Sequence, residues 1–362
     1  MYTLEEKICI LFGENDVPSN KFFRLLDLFD GVEQLLANFS SSKEAEALLG
    51  NIYSKLKVAI RKQSFDSLID DMDDHSVYAI TWFSSDYPAF LRDIPDPPYV
   101  LFCKGNAQLL TTDCLAVIGT RKVGAYGRRI ATDFTKVLSE YFTIVSGLAY
   151  GVDSIAHETA LDEQGPTIAV LGSGLLNVYP AAHQGLADRI VDNGGLLVSE
   201  YGLRSEPLAF HFPQRNRIVS GLSKGVLVCQ APVKSGTLST VDLALDQGKD
   251  VFVVPGEIYD LGFSGSNRLI KTVQAACVTT PRDIVSYYNL DRKESATQSY
   301  QVSIEEQVVV NVLSRGPLTF DELITCTGIA PADLNFMLAN LEIRSIIVKL
   351  PGNLYRLYGG IE

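Results

Sequence analysis

Six short apolar runs, each ended by glycine, a hydroxyl residue, glutamine or proline, constrain this chain more than any other feature. They are Cys114 to Ile118, Phe142 to Val145, Thr167 to Leu171, Gly195 to Val198, Gly225 to Cys229 and Val251 to Val254. Most are separated by about ten to twenty residues with helical spacing, as in Arg128 to Tyr141, Val152 to Asp162 and Leu238 to Gln247. Continuous Val/Ile/Leu runs alternating with helices predict an α/β fold, a doubly wound parallel sheet covered on both faces. Ligands of such sheets sit beyond the carboxyl ends of the strands. Here those ends read Gly119-Thr-Arg, Ser146-Gly-Leu-Ala, Gly172-Ser-Gly, Ser199-Glu-Tyr and Pro255-Gly. That rim is rich in glycine and hydroxyls and poor in acid/base pairs, which suits holding a ligand rather than cleaving one.

Several of the loops carry anion-binding chemistry. Gly119-Thr-Arg-Lys-Val-Gly-Ala-Tyr-Gly127 joins a strand to a helix, where glycines permit close backbone approach and the helix N-terminus faces an anion. Arg121 and Lys122 beside it suit a phosphate, although the spacing is neither a dinucleotide fingerprint nor a P-loop, and a plain glycine turn remains an alternative. Ser146 and Gly147 open a second such loop, Ser146 to Asp153. His157, four residues after Asp153, reads as a helix-stabilising partner rather than half of a catalytic dyad, since no nucleophile is near.

Phe210-His-Phe-Pro-Gln-Arg-Asn-Arg217 offers two arginines around Asn216, with Phe212 upstream for stacking. Arginine forks match phosphate and stack on bases. The competing reading pairs Arg215 and Arg217 with Glu200 or Glu206 inside the fold. Lys234-Ser235-Gly236-Thr237 forms one more anion nest before a helix. One mononucleotide needs a single loop of this kind; several argue for an extended backbone.

The flanks read differently. Residues 1 to about 75 predict a small helical domain of sterile-alpha-motif or helix-hairpin-helix type, with Leu4, Ile8 and Leu11 on one face and Phe22, Leu25, Leu26 and Phe29 on another. The run Asp70-Asp71-Met72-Asp73-Asp74 reads as a solvated connector, and Trp82 as a packing anchor. The sheet domain spans 76–288, a polar linker 289–301, and residues 302–362 predict three helices and a hairpin, a winged helix. Its third helix offers Asp333, Asn335, Asn340 and Glu342, with Arg344 at the end, a surface for protein rather than DNA.

The net charge of −12 argues against nonspecific coating of nucleic acid, yet it is uneven: −7 over residues 1–104, −2 over 105–290 and −3 over 291–362. Local potential matters more to a polyanion than the sum. Six scattered cysteines read as reduced core residues without metal spacing, and no cofactor or metal is expected. No apolar run approaches membrane length and no leader is evident, so a cytoplasmic location is expected.

The rim motifs, in this order, resemble the DNA-processing protein A (DprA/Smf) family. The resemblance rests on Tyr87-Pro with Asp96-Pro-Pro, Gly119-Thr-Arg, Ser146-Gly-Leu-Ala-Tyr-Gly-Val-Asp and Ala169-Val-Leu-Gly-Ser-Gly with Tyr179-Pro. It continues through Ser199-Glu-Tyr, Phe212-Pro-Gln-Arg-Asn-Arg-Ile, Ser235-Gly-Thr-Leu, Val254-Pro-Gly and Gly265-Ser-Asn-Arg-Leu-Ile. It implies an extended Rossmann-like domain that binds single-stranded DNA without cutting it, forms a homodimer and delivers DNA to the RecA recombinase in natural transformation. It also implies DNA contacts at Gly119, Thr120 and Arg121, along the Phe212 to Arg217 loop and at Ser235, Gly236 and Thr237. Other competence proteins are candidate partners of the winged helix. Ala181 and Ala209 stand where members often carry a basic residue, and His183 where asparagine is common, which implies a less positive pocket.

Two other classes remain. One is an enzyme on the same scaffold, a nucleotide phosphoribohydrolase of the lysine-decarboxylase-like (LOG) group. Its Pro-Gly-Gly-x-Gly-Thr loop is replaced here by Lys234-Ser-Gly-Thr-Leu-Ser-Thr, without the double glycine. The other is an interaction scaffold that does not bind DNA, which the overall acidity favours.

Overall fold

In a computed structural model of the chain, residues 2–62, 64–290, 303–314, 316–344, 346–350 and 352–357 are described, the side chains of residues 304, 305 and 343 excepted. The chain divides into two compact units, Met1–Tyr288 and Asn289–Glu362.

The larger unit holds nine strands: β1 (Tyr78–Thr81), β2 (Val100–Gly105), β3 (Cys114–Ile118), β4 (Thr143–Ser146), β5 (Thr167–Leu171), β6 (Leu196–Ser199), β7 (Gly225–Val228), β8 (Asp250–Val253) and β9 (Ala276–Cys277). Their order is β1-β2-β6-β5-β4-β3-β7-β8-β9. Strands β3 to β9 run parallel, and β2 and β1 extend the sheet in antiparallel fashion beyond β6. From β3 the chain steps outward through β4, β5 and β6, then crosses to the other side of β3 for β7. The order therefore reverses between β3 and β7, where doubly wound sheets leave a crevice for ligands.

Alternate residues supply the two faces, as strand geometry requires. Ala169, Leu171 and Leu197 pack in one core, while Ile168, Val170, Leu196 and Val198 pack in the other. The second core includes Ile218 and Val219 of helix His211–Gly221 and Val241 and Ala244 of helix Gly236–Asp246. The expected two-sided sheet is what forms.

The N-terminal residues depart from expectation. Among the described residues six α-helices form, from Leu4–Glu14 to Phe65–Asp74, but they share one hydrophobic core with the sheet instead of standing as a separate domain of residues 1–75. Phe22 stacks on Tyr99 at 3.9 Å, and the Tyr99 hydroxyl donates to the Val17 carbonyl at 2.8 Å. Trp82 does anchor packing, edge-on to Phe23 at 5.1 Å. The Asp70–Asp74 run is no connector: it ends helix Phe65–Asp74, and Asp71 pairs with Arg204. Of the six cysteines, Cys9, Cys103, Cys114 and Cys229 are buried, whereas Cys277 and Cys326 are exposed, which corrects the core assignment of those two.

The smaller unit holds helices Ile304–Leu313, Phe320–Thr327 and Pro331–Ile343 and the sheet β10 (Leu318–Thr319), β11 (Ile347–Leu350) and β12 (Leu354–Leu357), ordered β10-β12-β11. Three helices and this small sheet make a winged helix, closed over Val309, Leu323, Leu334, Leu338 and Leu341. The expected linker, beyond its first two residues, lies outside the described residues.

Candidate nucleic-acid interface

Where the strand order reverses, the loops after β3, β4 and β7 and the start of helix His211–Gly221 line an open cavity of about 790 Å³. Its lining includes Gly119, Thr120, Arg121, Lys122, Gly147, Phe212, Arg215, Asn216, Ser235, Gly236 and Thr237. Residues separated by more than a hundred positions in sequence thus meet in one place.

Close contacts tie the loop after β3 to the loops after β7 and β4. Thr120 N–H donates to the Gln230 carbonyl at 2.8 Å, and the Gln230 side-chain oxygen accepts Gly124 N–H at 3.0 Å. A Cβ on Gly119 would lie 2.5 Å from Val152, and one on Gly151 (φ 83°) would collide with the Thr120 carbonyl. Glycine is required at Gly151, where the added atom would meet backbone at positive φ, whereas at Gly119 it would crowd the Val152 side chain. In the loop after β4, the Asp153 carboxylate accepts N–H bonds from Gly147 at 3.2 Å and Ala149 at 3.4 Å. Ser235 caps helix Gly236–Asp246 by accepting Thr237 N–H at 3.2 Å, which directs that helix start toward the cavity.

The segment from Phe212 to Arg217 is not a loop. It begins helix His211–Gly221, and Pro213 is tolerated because it sits in the first turn, where N–H groups have no helical partner. Two residues apart on a helix face different directions, so the two arginines part. Arg215 reaches the carbonyls of Gly147 (2.6 Å) and Val170, beside Asp153. Arg217 turns away and pairs with Glu200 (2.6 Å) and Asp96 (3.0 Å) outside the cavity. The internal ion pair weighed against DNA contact is therefore the arrangement at Arg217, and the residue is corrected as a free DNA contact. Ser146 is corrected too: it is fully buried, and its hydroxyl donates to the Val117 carbonyl at 2.7 Å, tying β4 to β3.

The electrostatics favour an anion. Arg121, Lys122 and Lys234 line the cavity, and the described residues place no ion pair on them. Arg121 lies over the Phe212 ring, 5.8 Å from its centre. Asp153 is the acid of the lining, and burial raises its pKa against the opposing pull of Arg215 and the two N–H bonds. Burial pushes Arg215 down to about 10, with Asp153 opposing. Both groups are short of solvation, so each depends on the other. For Arg217, burial is outweighed by Glu200 and Asp96, which hold it above the usual arginine range.

The expected Asp153–His157 contact does not form. His157 is fully buried with Nδ1 on the Thr167 hydroxyl at 2.7 Å, and desolvation lowers its pKa to about 3. Gln230 was missed in the sequence; the signal available was a polar residue ending an apolar strand run. Ala209 does line the cavity, where a basic residue would have added charge, whereas Ala181 does not. Among the described residues, no cluster of His, Cys, Asp and Glu suits a metal ion, and no helix is long and apolar enough to cross a membrane.

Comparison with known proteins gives a consistent result. Residues 78–289 match the family described as DNA recombination-mediator protein A, and residues 293–353 match the DprA winged helix domain. The protein Smf of Escherichia coli (strain K12) is 37% identical over 294 residues, covering 80% of this chain and 76% of that protein. The DNA processing protein DprA of Streptococcus pneumoniae is 43% identical over 202 residues, covering 56% of this chain and 71% of that one. The X-ray structure of DprA from Streptococcus pneumoniae aligns with a TM-score of 0.66 at 33% identity, over 79% of this chain and 98% of that chain. A DprA structure from Helicobacter pylori, described in terms of its single-stranded DNA binding mode, aligns with a TM-score of 0.54 at 32% identity, over 59% of this chain and 96% of that one.

Proposed function

The chain belongs to the DNA recombination-mediator protein A family, and from that premise we propose that it binds single-stranded DNA in the cavity between β3 and β7 without cleaving it. The observation that carries this reading is the charge of that cavity. In a chain of net charge −12, its lining has Arg121, Lys122, Arg215 and Lys234 against the one carboxylate of Asp153, which two backbone N–H groups already occupy. Phosphates supply the missing anions, and the Phe212 ring supplies a stacking face that every base can use. The relative from Helicobacter pylori, described by its single-stranded DNA binding mode, supports the same assignment.

From the family we further propose that the bound strand is passed to a RecA-type recombinase during DNA uptake, that the chain works as a homodimer in the cytoplasm, and that the winged helix contacts protein partners. Binding without bond cleavage fits the position of Asp242: downstream of the Ser235-Gly-Thr turn, it is exposed and stays out of the cavity lining.

The test is a fluorescence titration of labelled oligo(dT) and of a duplex of equal length, with the oligonucleotide recovered and sized afterwards. Tighter binding of the single strand, recovered intact, is expected. Equal or stronger duplex binding, shortened product, or base release from nucleoside monophosphates contradicts the reading.

A further inference from the structure

Behind the cavity wall lies a second set of contacts, made by residues that do not line the cavity. Helix Leu4–Glu14 ends against the loop after β6. The Asp16 carboxylate accepts Gly202 N–H at 3.0 Å and the Ser205 hydroxyl at 2.8 Å, while Glu14 accepts Leu203 N–H at 2.8 Å. The approach is close: a Cβ on Gly202 would lie 2.7 Å from the Glu14 carbonyl. The other side of the same loop is pinned to the loop after β5, with Gly174 N–H on the Ser205 carbonyl and Leu176 N–H on the Leu203 carbonyl, both at 2.9 Å. Residues 202–205 are therefore held between the end of an N-terminal helix and the loop that follows the interior strand β5. Their continuation supplies the cavity wall at Pro207, Ala209 and Phe212.

We propose that Glu14 and Asp16 are positioning residues for the nucleic-acid cavity: they set the loop 202–205, and through it the wall that carries Phe212, without touching the strand themselves. This rests on the proposed function above. Without the clamp, the loop exchanges among conformations and only a fraction of molecules present a formed wall, which weakens apparent affinity by that fraction. Asp16 has φ 51°, a left-handed conformation that glycine and asparagine accept. Asp16→Gly therefore removes the carboxylate without backbone strain, and Asp16→Asn keeps an acceptor in place.

The experiment titrates labelled oligo(dT) at two salt concentrations with the full chain, Asp16→Gly, Asp16→Asn and Arg121→Ala, and follows amide hydrogen exchange at Gly202 and Leu203. Asp16→Gly is expected to weaken binding on the order of tenfold, with an unchanged salt slope and faster exchange at both amides. Asp16→Asn should recover most of the affinity, and Arg121→Ala should lose salt slope. A full chain that does not bind, or that binds no better than Arg121→Ala, overturns the reading of the site and this inference with it. Binding that Arg121→Ala weakens and Asp16→Gly leaves intact overturns the inference alone, as does a reduced salt slope in Asp16→Gly or unchanged exchange at Gly202 and Leu203.

Discussion

Arg121 and Arg215 look equivalent in the sequence and are opposite in the structure. Arg121 is exposed, rests over the Phe212 ring and makes no ion pair among the described residues, so Arg121→Ala should leave the melting temperature nearly unchanged and lower the salt slope of oligo(dT) binding by about one. Arg215 is 4% exposed and braces two carbonyls beside Asp153. Arg215→Ala strands a buried carboxylate and should cost about 3–5 kcal/mol of stability, seen in urea unfolding, before any effect on DNA is read. A pH effect follows from His157. Its folded pKa of about 3 lies below the unfolded value, so the unfolded state takes up the proton first as pH falls. The contribution of His157 is fully present well above pH 6.5 and is lost as pH falls from there toward the folded value, by roughly 1 kcal/mol per unit. Unfolding at pH 7 and pH 5 should show that loss in the native chain and a smaller one in His157→Gln. Sequence alone separated none of these roles, because burial and partner choice depend on which helical face a residue occupies.

At the scale of elements, the strands were legible because a buried parallel strand needs an unbroken apolar run, and β5 and helix Val152–Asp162 fall where those runs and spacings put them. The Phe212 to Arg217 segment was read as a loop because its proline and polar residues mask helical periodicity, and only its place in the first turns makes them compatible. Two glycines at loop and helix junctions separate folding from binding. Gly151→Ala forces a side chain against the Thr120 carbonyl at positive φ and should cost about 1–3 kcal/mol. Around Gly236 there is open space within 4 Å, so Gly236→Ala should fold normally. It should nevertheless weaken oligo(dT) binding if the strand's backbone approaches that helix start, which the titration reads directly.

Across the whole molecule, the division into a sheet unit and a winged helix was legible from the polar linker and the succession of three helices and a hairpin, whereas the fusion of the N-terminal helices with the sheet was not. Amphipathic helices announce an apolar face but not what covers it, and here Phe22 is covered by the ring of Tyr99, which leads into β2. The overall acidity was equally uninformative about the site, since a local excess of cations governs the potential a phosphate meets there. The central claim is that one cavity takes the strand, and photo-crosslinking with an oligonucleotide carrying 5-iodouracil, followed by peptide mapping, tests it most directly. Crosslinks within residues 119–122, 207–216 and 232–240 are the predicted result; crosslinks confined to the N-terminal helices or the winged helix would contradict the account.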